Sequence, residues 1–338
     1  MTIKQYIISF AAAALTAVLL TGCSGDSASD ISPDPTPSTG KSEIKVNADI
    51  RQMMEGTRLT KIDNNTDLQS EDLKIYAYYH GTSNAFLSGV KLHYTGSTPA
   101  WQFWDGSAQL HYYWPFEGST VAGSSTVAST LDFVGYCPFS APYITGSSFD
   151  PASGASFTCN MSSYMTLASQ DGLEEYLIAE LYVQTLATQT TAGGALPMVF
   201  KHPFALIKFV IAEGSGTHVK INSISINNLY TSATCTYNGS TMSWGSYDDE
   251  TKAAMSQTGL NLKYGTATTE TTPFMVIPKN YGSITLTVNG TWDDWSAVTK
   301  DISTDISIDW QPGYIYTYTL TVTKYALTVD IQKYTEQW

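Results

Sequence analysis

The chain has 338 residues, with 17 basic and 30 acidic side chains and a formal charge of −13. Hydrophobic residues make up 43% and charged residues only 14%. A core can be buried, and the Thr, Ser, Tyr and Gly that fill the gap suit half-exposed β-strands rather than a coiled coil or helical bundle. With no basic field to neutralise phosphates, nucleic acid is not an expected partner.

Residues 7–20 form an apolar run broken only by Ser9 and Thr16. The run is too short to span a bilayer, which takes about 20 residues, and it reads as the apolar part of a signal peptide. It ends in Leu20-Thr21-Gly22-Cys23, which is similar to a bacterial lipobox, where the cysteine thiol receives diacylglycerol and the peptide is cut before it. Residues 1–22 are therefore expected to be a lipoprotein signal, and acyl chains on Cys23 would dock the chain in a membrane by burying CH₂ groups. Residues 23–42 contain six Ser and three Pro with almost no apolar side chains. Such a segment cannot offset its ordering entropy and reads as a flexible tether.

Strand signals begin at residues 43–50, where Ile44, Val46, Ala48 and Ile50 alternate with polar residues, the pattern of a half-buried strand. Further strands are expected at 73–79, 90–94, 109–114, 131–136, 156–160 and 176–184; residues 174–183 also suit a short helix. The polar, glycine-ended stretch 185–194 marks the expected division between residues 43–192 and 193–338. Beyond it, strands are expected at 204–211, 219–226, 233–237, 274–277, 284–288 and 302–309. Short strands spaced by Gly, Asn and Ser turns argue for an all-β chain of two tandem β-sandwiches. Cys137, Cys159 and Cys235 have no CxxC spacing. They read chiefly as buried small residues, an odd count also permitting one bridge and one thiol.

The last two strands differ in phase. Tyr316, Tyr318, Leu320 and Val322 are apolar and even-numbered, whereas Tyr325, Leu327, Val329 and Ile331 are apolar and odd-numbered. A one-residue slip turns every side chain over, so a bend or bulge is expected between them, and residues 325–333 need not share their predecessor's sheet face. This strand either pairs within its own domain or reaches another molecule. Arginine is also placed unevenly: the chain holds two, Arg51 and Arg58, against 15 Lys. Both lie just after the first strand in a stretch without clear period, an exposed loop of the kind proteases cut. An Arg-specific protease would part the first strand and its tether from all that follows.

Several motifs together resemble the Bacteroidales fimbrillins, subunits of type V pili. They are Leu110-His-Tyr-Tyr-Trp114-Pro115 followed by residues 131–138; Pro197-Met-Val-Phe200-Lys-His202 leading into 205–211; Pro273-Phe274-Met-Val276-Ile-Pro278; and Trp310-Gln-Pro312-Gly313-Tyr-Ile-Tyr316-Thr-Tyr318. The resemblance runs from the lipobox to about residue 322 and rests on order and spacing, since each motif alone is weak. It implies a Gram-negative outer-membrane lipoprotein with two sandwich domains of transthyretin-like, Greek-key type. It further implies cleavage by an Arg-specific surface protease, with Arg58 favoured over Arg51. Loss of the first strand then opens a groove for the final strand of another subunit. Ile44, Val46, Ala48 and Ile50 would be the displaced set, and Tyr325, Leu327, Val329 and Ile331 the donor set. The product would be an adhesive fimbrium at the cell surface, with a host glycan or protein as a further candidate partner.

Enzymatic readings are thin. The five His are scattered without ligand spacing, so neither a metal nor another cofactor is expected. A GxSxG elbow is absent, and the adjacent acidic pairs point apart on a strand, poorly placed for glycoside hydrolysis. No catalytic residue is assigned. The stronger rival is a tip adhesin or carbohydrate-binding lipoprotein that uses Trp101, Trp104, Tyr112, Tyr113, Trp114, Trp292 and Trp295 as stacking faces.

Overall fold

A computed structural model describes residues 41–50, 62, 64–115, 129–171, 173–213, 219–250, 252–263, 269–292, 298–322 and 327–337. The signal run, Cys23, the tether before residue 41, Arg51, Arg58, Trp295 and Tyr325 lie outside these residues. Where alternation is strong, it dictates the element. Leu73–Tyr79 buries every second side chain, and Val46–Ile50 does the same, as a pleat with one dry face requires. The described residues are all-β apart from one 3-10 turn and the short helices Asn65–Gln69, Leu167–Gln170 and Leu186–Thr191.

The first sandwich is built on a six-stranded sheet in the order Gln109–Leu110, Trp101–Trp104, Ala85–Tyr94, Leu73–Tyr79, Leu131–Cys137 and Leu177–Gln184. On one face lies a parallel pair, Val46–Ile50 beside Leu196–Phe200, and the apolar side chains between form one core. The other face packs into a second core shared with a four-stranded sheet, Met242–Gly245, Ser232–Tyr237, Gly154–Asn160 and Ile144–Asp150. Leu131–Cys137 is thus covered on both sides, and all seven of its residues are buried. Its Gly135 permits the close layer: a Cβ there would sit 2.8 Å from Met198 Cε and Phe200 Cζ. Two-sided cover also explains the helix-or-strand ambiguity at 174–183. Leu177, Ile178 and Ala179 are consecutive and all buried, which erases the period of two, and the segment is a strand paired with Leu131–Cys137.

The second sandwich opposes two sheets. One carries Ala205–Glu213 parallel to Tyr314–Val322, with Leu327–Gln337 beyond. Opposite it run Lys252–Lys263, Val219–Tyr230, Asn280–Trp292 and Val298–Asp309, in that order. The outer face of the last two is polar. Thr285 Oγ1 donates to Asp305 Oδ1 at 2.8 Å, Asn289 Nδ2 to Asp301 Oδ1 at 2.7 Å, and Thr291 and Thr299 hydroxyls meet at 2.9 Å. Residues 310–313 form the turn before Tyr314–Val322, with Gly313 at φ +72°, and the buried Trp310 donates its indole N–H to Tyr318.

Two pairings cross residues 192/193, where the halves were expected to meet. Leu196–Phe200 lies beside Val46–Ile50, and Ser232–Tyr237 pairs with Gly154–Asn160. The phase slip near the C-terminus has a different origin from the one expected. Val322 pairs with Leu327, Leu320 with Val329 and Tyr318 with Ile331 in an antiparallel hairpin. Residues directly opposite share a face, and this register sets even numbers against odd ones. The slip therefore matches the register of this hairpin. Among the described residues the final strand is the edge of its own sheet, with one strand neighbour.

Candidate assembly site

The four residues read as one face of the first strand all point inward. Ile44, Val46, Ala48 and Ile50 are each buried, in a common core with Leu68, Ile75, Phe133, Met198 and Phe200. Between them, Asn47 and Asp49 face outward. Burying Ile44, Val46 and Ile50 is worth about 4.5–9 kcal/mol gross, and the Ala48 methyl adds less than about 1 kcal/mol. Each edge of the strand is held differently. Along one edge runs the parallel ladder to Leu196–Phe200, whose first bond is donated by Leu196 N–H to the Lys45 carbonyl at 2.8 Å. Along the other, Ile44 N–H donates to the Tyr112 carbonyl at 2.7 Å, and Trp114 N–H to the Ser42 carbonyl at 2.9 Å. Ile50 N–H ends the strand on Asn65 Oδ1 at 2.9 Å.

At the entry end a polar cluster meets the strand. His111 Nδ1 lies 2.5 Å from Glu43 Oε1, and Lys45 Nζ lies 3.8 Å from Glu43 Oε2. Gln189, only 5% exposed, reaches in from Leu186–Thr191. Its Oε1 accepts from Lys45 N–H at 2.9 Å and from the Trp114 indole N–H at 3.1 Å, and its Nε2 donates to the Glu43 carbonyl at 2.9 Å. Two donors converging on one atom fix which end of the amide is oxygen. Sequence reading took 185–194 as a mere break and so missed Gln189. The signal present was Thr185 and Thr188, which cap one another's backbone N–H groups and start a short helix there.

The donor residues are placed less fully. Val329 is half-buried against the second core, Leu327 and Ile331 take ladder positions opposite Val322 and Tyr318, and Tyr325, with both arginines, lies outside the described residues. The aromatic residues read as stacking faces divide evenly where they are described. Trp101, Tyr112 and Trp292 are buried, whereas Trp104, Tyr113 and Trp114 are half-buried. Cys137, Cys159 and Cys235 are all buried, and burial pushes the Cys159 thiol up to about 12. The motif residues Phe200, His202, Phe274 and Trp310 are interior fixtures, His202 set 2.6 Å from a buried Glu175 carboxylate. Among the described residues no group of three or more His, Cys, Asp or Glu could hold a metal ion, and no helix is long and apolar enough to cross a membrane.

The fimbrillin-like family matches residues 57–338. The chain belongs to that family. A fimbrial protein from Bacteroides vulgatus is similar in fold, with a TM-score of 0.57 at 16% identity over 86% of this chain and 98% of that one. A protein described as a cell adhesion protein from Bacteroides ovatus gives 0.53 at 12% identity, over 88% and 98%. Comparison with curated proteins finds no match.

Proposed function

We propose that this fimbrillin-like chain is a subunit of an adhesive cell-surface fimbrium that polymerises by strand exchange. It is exported to the outer membrane of a Gram-negative cell as a lipoprotein acylated on Cys23. An Arg-specific surface protease cuts after Arg58 or Arg51, and the first strand leaves. Leu327, Val329 and Ile331 of another copy, with Tyr325 before them, then take the places of Ile44, Val46, Ala48 and Ile50. The observation that carries this reading is the seat of the first strand. Four of its side chains complete a core, yet among the described residues Leu196–Phe200 is the only strand laddered along it, the other edge meeting residues 112–114 near its start, and the chain's two arginines follow in sequence.

The energetics favour a latent precursor. Uncut, the chain fills its own groove, and intramolecular strand and groove need no association entropy. Cut, the strand becomes a separate ligand that must bear that cost. The vacated edge and apolar pockets are then a template for strand addition. The final strand is suited to supply it, because an edge strand leaves its sheet at the expense of a single ladder. Adding an Arg-specific protease to purified precursor should give a ladder of oligomers, and Arg51→Lys with Arg58→Lys together should abolish it. A cut chain that stays monomeric at high concentration refutes the proposal.

A further inference from the structure

The parallel ladder beside the first strand does not stop where its neighbour begins. Leu196 N–H bonds the Lys45 carbonyl, and upstream of Leu196 the next two groups on the same edge are met by a side chain. Gln189 accepts from Lys45 N–H and donates to the Glu43 carbonyl, both at 2.9 Å. A primary amide offers an acceptor and a donor in one plane, as a peptide group does. Gln189 thus stands in for one peptide of the neighbouring strand and lengthens the ladder by a rung.

Its surroundings hold it there. The Trp114 indole N–H donates to the same oxygen at 3.1 Å, and the residue sits in the middle of a helix started by the Thr185–Thr188 capping box. Both groups gripped belong to the main chain, which every strand possesses, whereas the His111–Glu43 pair at the same end reads a side chain. The two contacts therefore differ in what they recognise. Glu43 and its histidine partner identify the chain's own first strand; the amide responds only to an extended backbone in the correct register.

We infer that Gln189 is a register clamp, a positioning residue that grips the main chain of the strand in the groove irrespective of its side chains. For an incoming strand this rests on the strand-exchange reading; for the chain's own strand it does not. The uncut protein gives the first test. Gln189→Met conserves volume and removes both bonds, and amide hydrogen exchange at Lys45 should then speed up about tenfold, the effect of one to two net hydrogen bonds. Amides in Leu131–Cys137 should keep their protection. An unchanged Lys45 amide overturns the clamp. If Gln189→Met lowers protection everywhere, Gln189→Asn, one carbon too short to reach both groups, is read in the same way.

The second test uses protein cut by an Arg-specific protease and freed of its first strand. Peptides of residues 41–50, native and with Glu43→Gln and Lys45→Thr, should both bind about tenfold more weakly to Gln189→Met than to the unsubstituted protein. A loss confined to the native peptide would mean side-chain recognition and overturn the clamp. A peptide of residues 325–337 should show the same factor. If that peptide fails to bind the unsubstituted protein while the 41–50 peptides bind, strand exchange is refuted, and the clamp is confined to the chain's own strand.

Discussion

Val183 holds φ at +54° while 50% exposed, a conformation that a β-branched side chain adopts only under strain. What keeps it there is backbone: its N–H donates to Asp132 Oδ1 at 2.8 Å, and the same buried carboxylate lies 3.0 Å from His80 Nδ1. Val183→Asn keeps that bond and tolerates the left-handed region, so it should stabilise the protein by about 1 kcal/mol in urea unfolding. Nearby Glu180 accepts from Ala155 N–H and from the Tyr182 hydroxyl. Burial pushes its carboxyl up to about 7 despite these bonds, with Asp132 adding like-charge repulsion. A raised folded value means that the native state binds this proton more tightly than the unfolded chain does. The contribution favours folding at low pH and is lost as pH rises from about 4.5 through about 7. Glu180→Gln should remove that slope, so its stability relative to the parent should improve between pH 5 and pH 8 when unfolding is measured at both.

At the scale of elements, the first strand is the part on which the proposal turns. Ile50→Ala in the uncut chain should cost about 2–4 kcal/mol, since it opens a cavity in a core with no slack; a thermal melt measures this. Asn47→Ala on the outward face should change little. The inward row was legible from period-two alternation alone, as was Leu73–Tyr79. Other strands were not. Ile144–Asp150 is an edge strand that exposes Gly146, Ser147 and Ser148 and buries Phe149, so it carries no repeating apolar row to detect. Lys252–Lys263 loses its alternation at Gly259, which sits at φ +71°. The C-terminal phase slip was read correctly as residues but not as geometry. Whether a slip turns a strand over depends on the length of the turn and on the strand it pairs with, and a single strand's pattern contains neither. Gln189 was illegible for a related reason: a polar residue inside a polar stretch has no contrast, and its role exists only once residues 43 to 45 are brought beside it.

Across the whole molecule, the two halves of the chain hold one another's strands. A fragment ending at residue 192 lacks Leu196–Phe200, the parallel neighbour of the first strand, and Ser232–Tyr237, the partner of Gly154–Asn160. The latter junction is tight, because a Cβ on Gly154 would lie 2.2 Å from the Tyr237 carbonyl oxygen. Such a fragment should show no cooperative thermal transition, whereas the full chain should unfold with fluorescence and circular dichroism transitions that coincide. The long hairpin of the second sandwich carries a different implication. Its outward row presents Asp301, Asp305 and Asp309 at even intervals among hydroxyls and amides, on a chain that is strongly anionic. Threads assembled from such units would repel one another sideways and stay dispersed in dilute salt. Ionic strength, by shortening the reach of that repulsion, would then govern whether they rope into bundles.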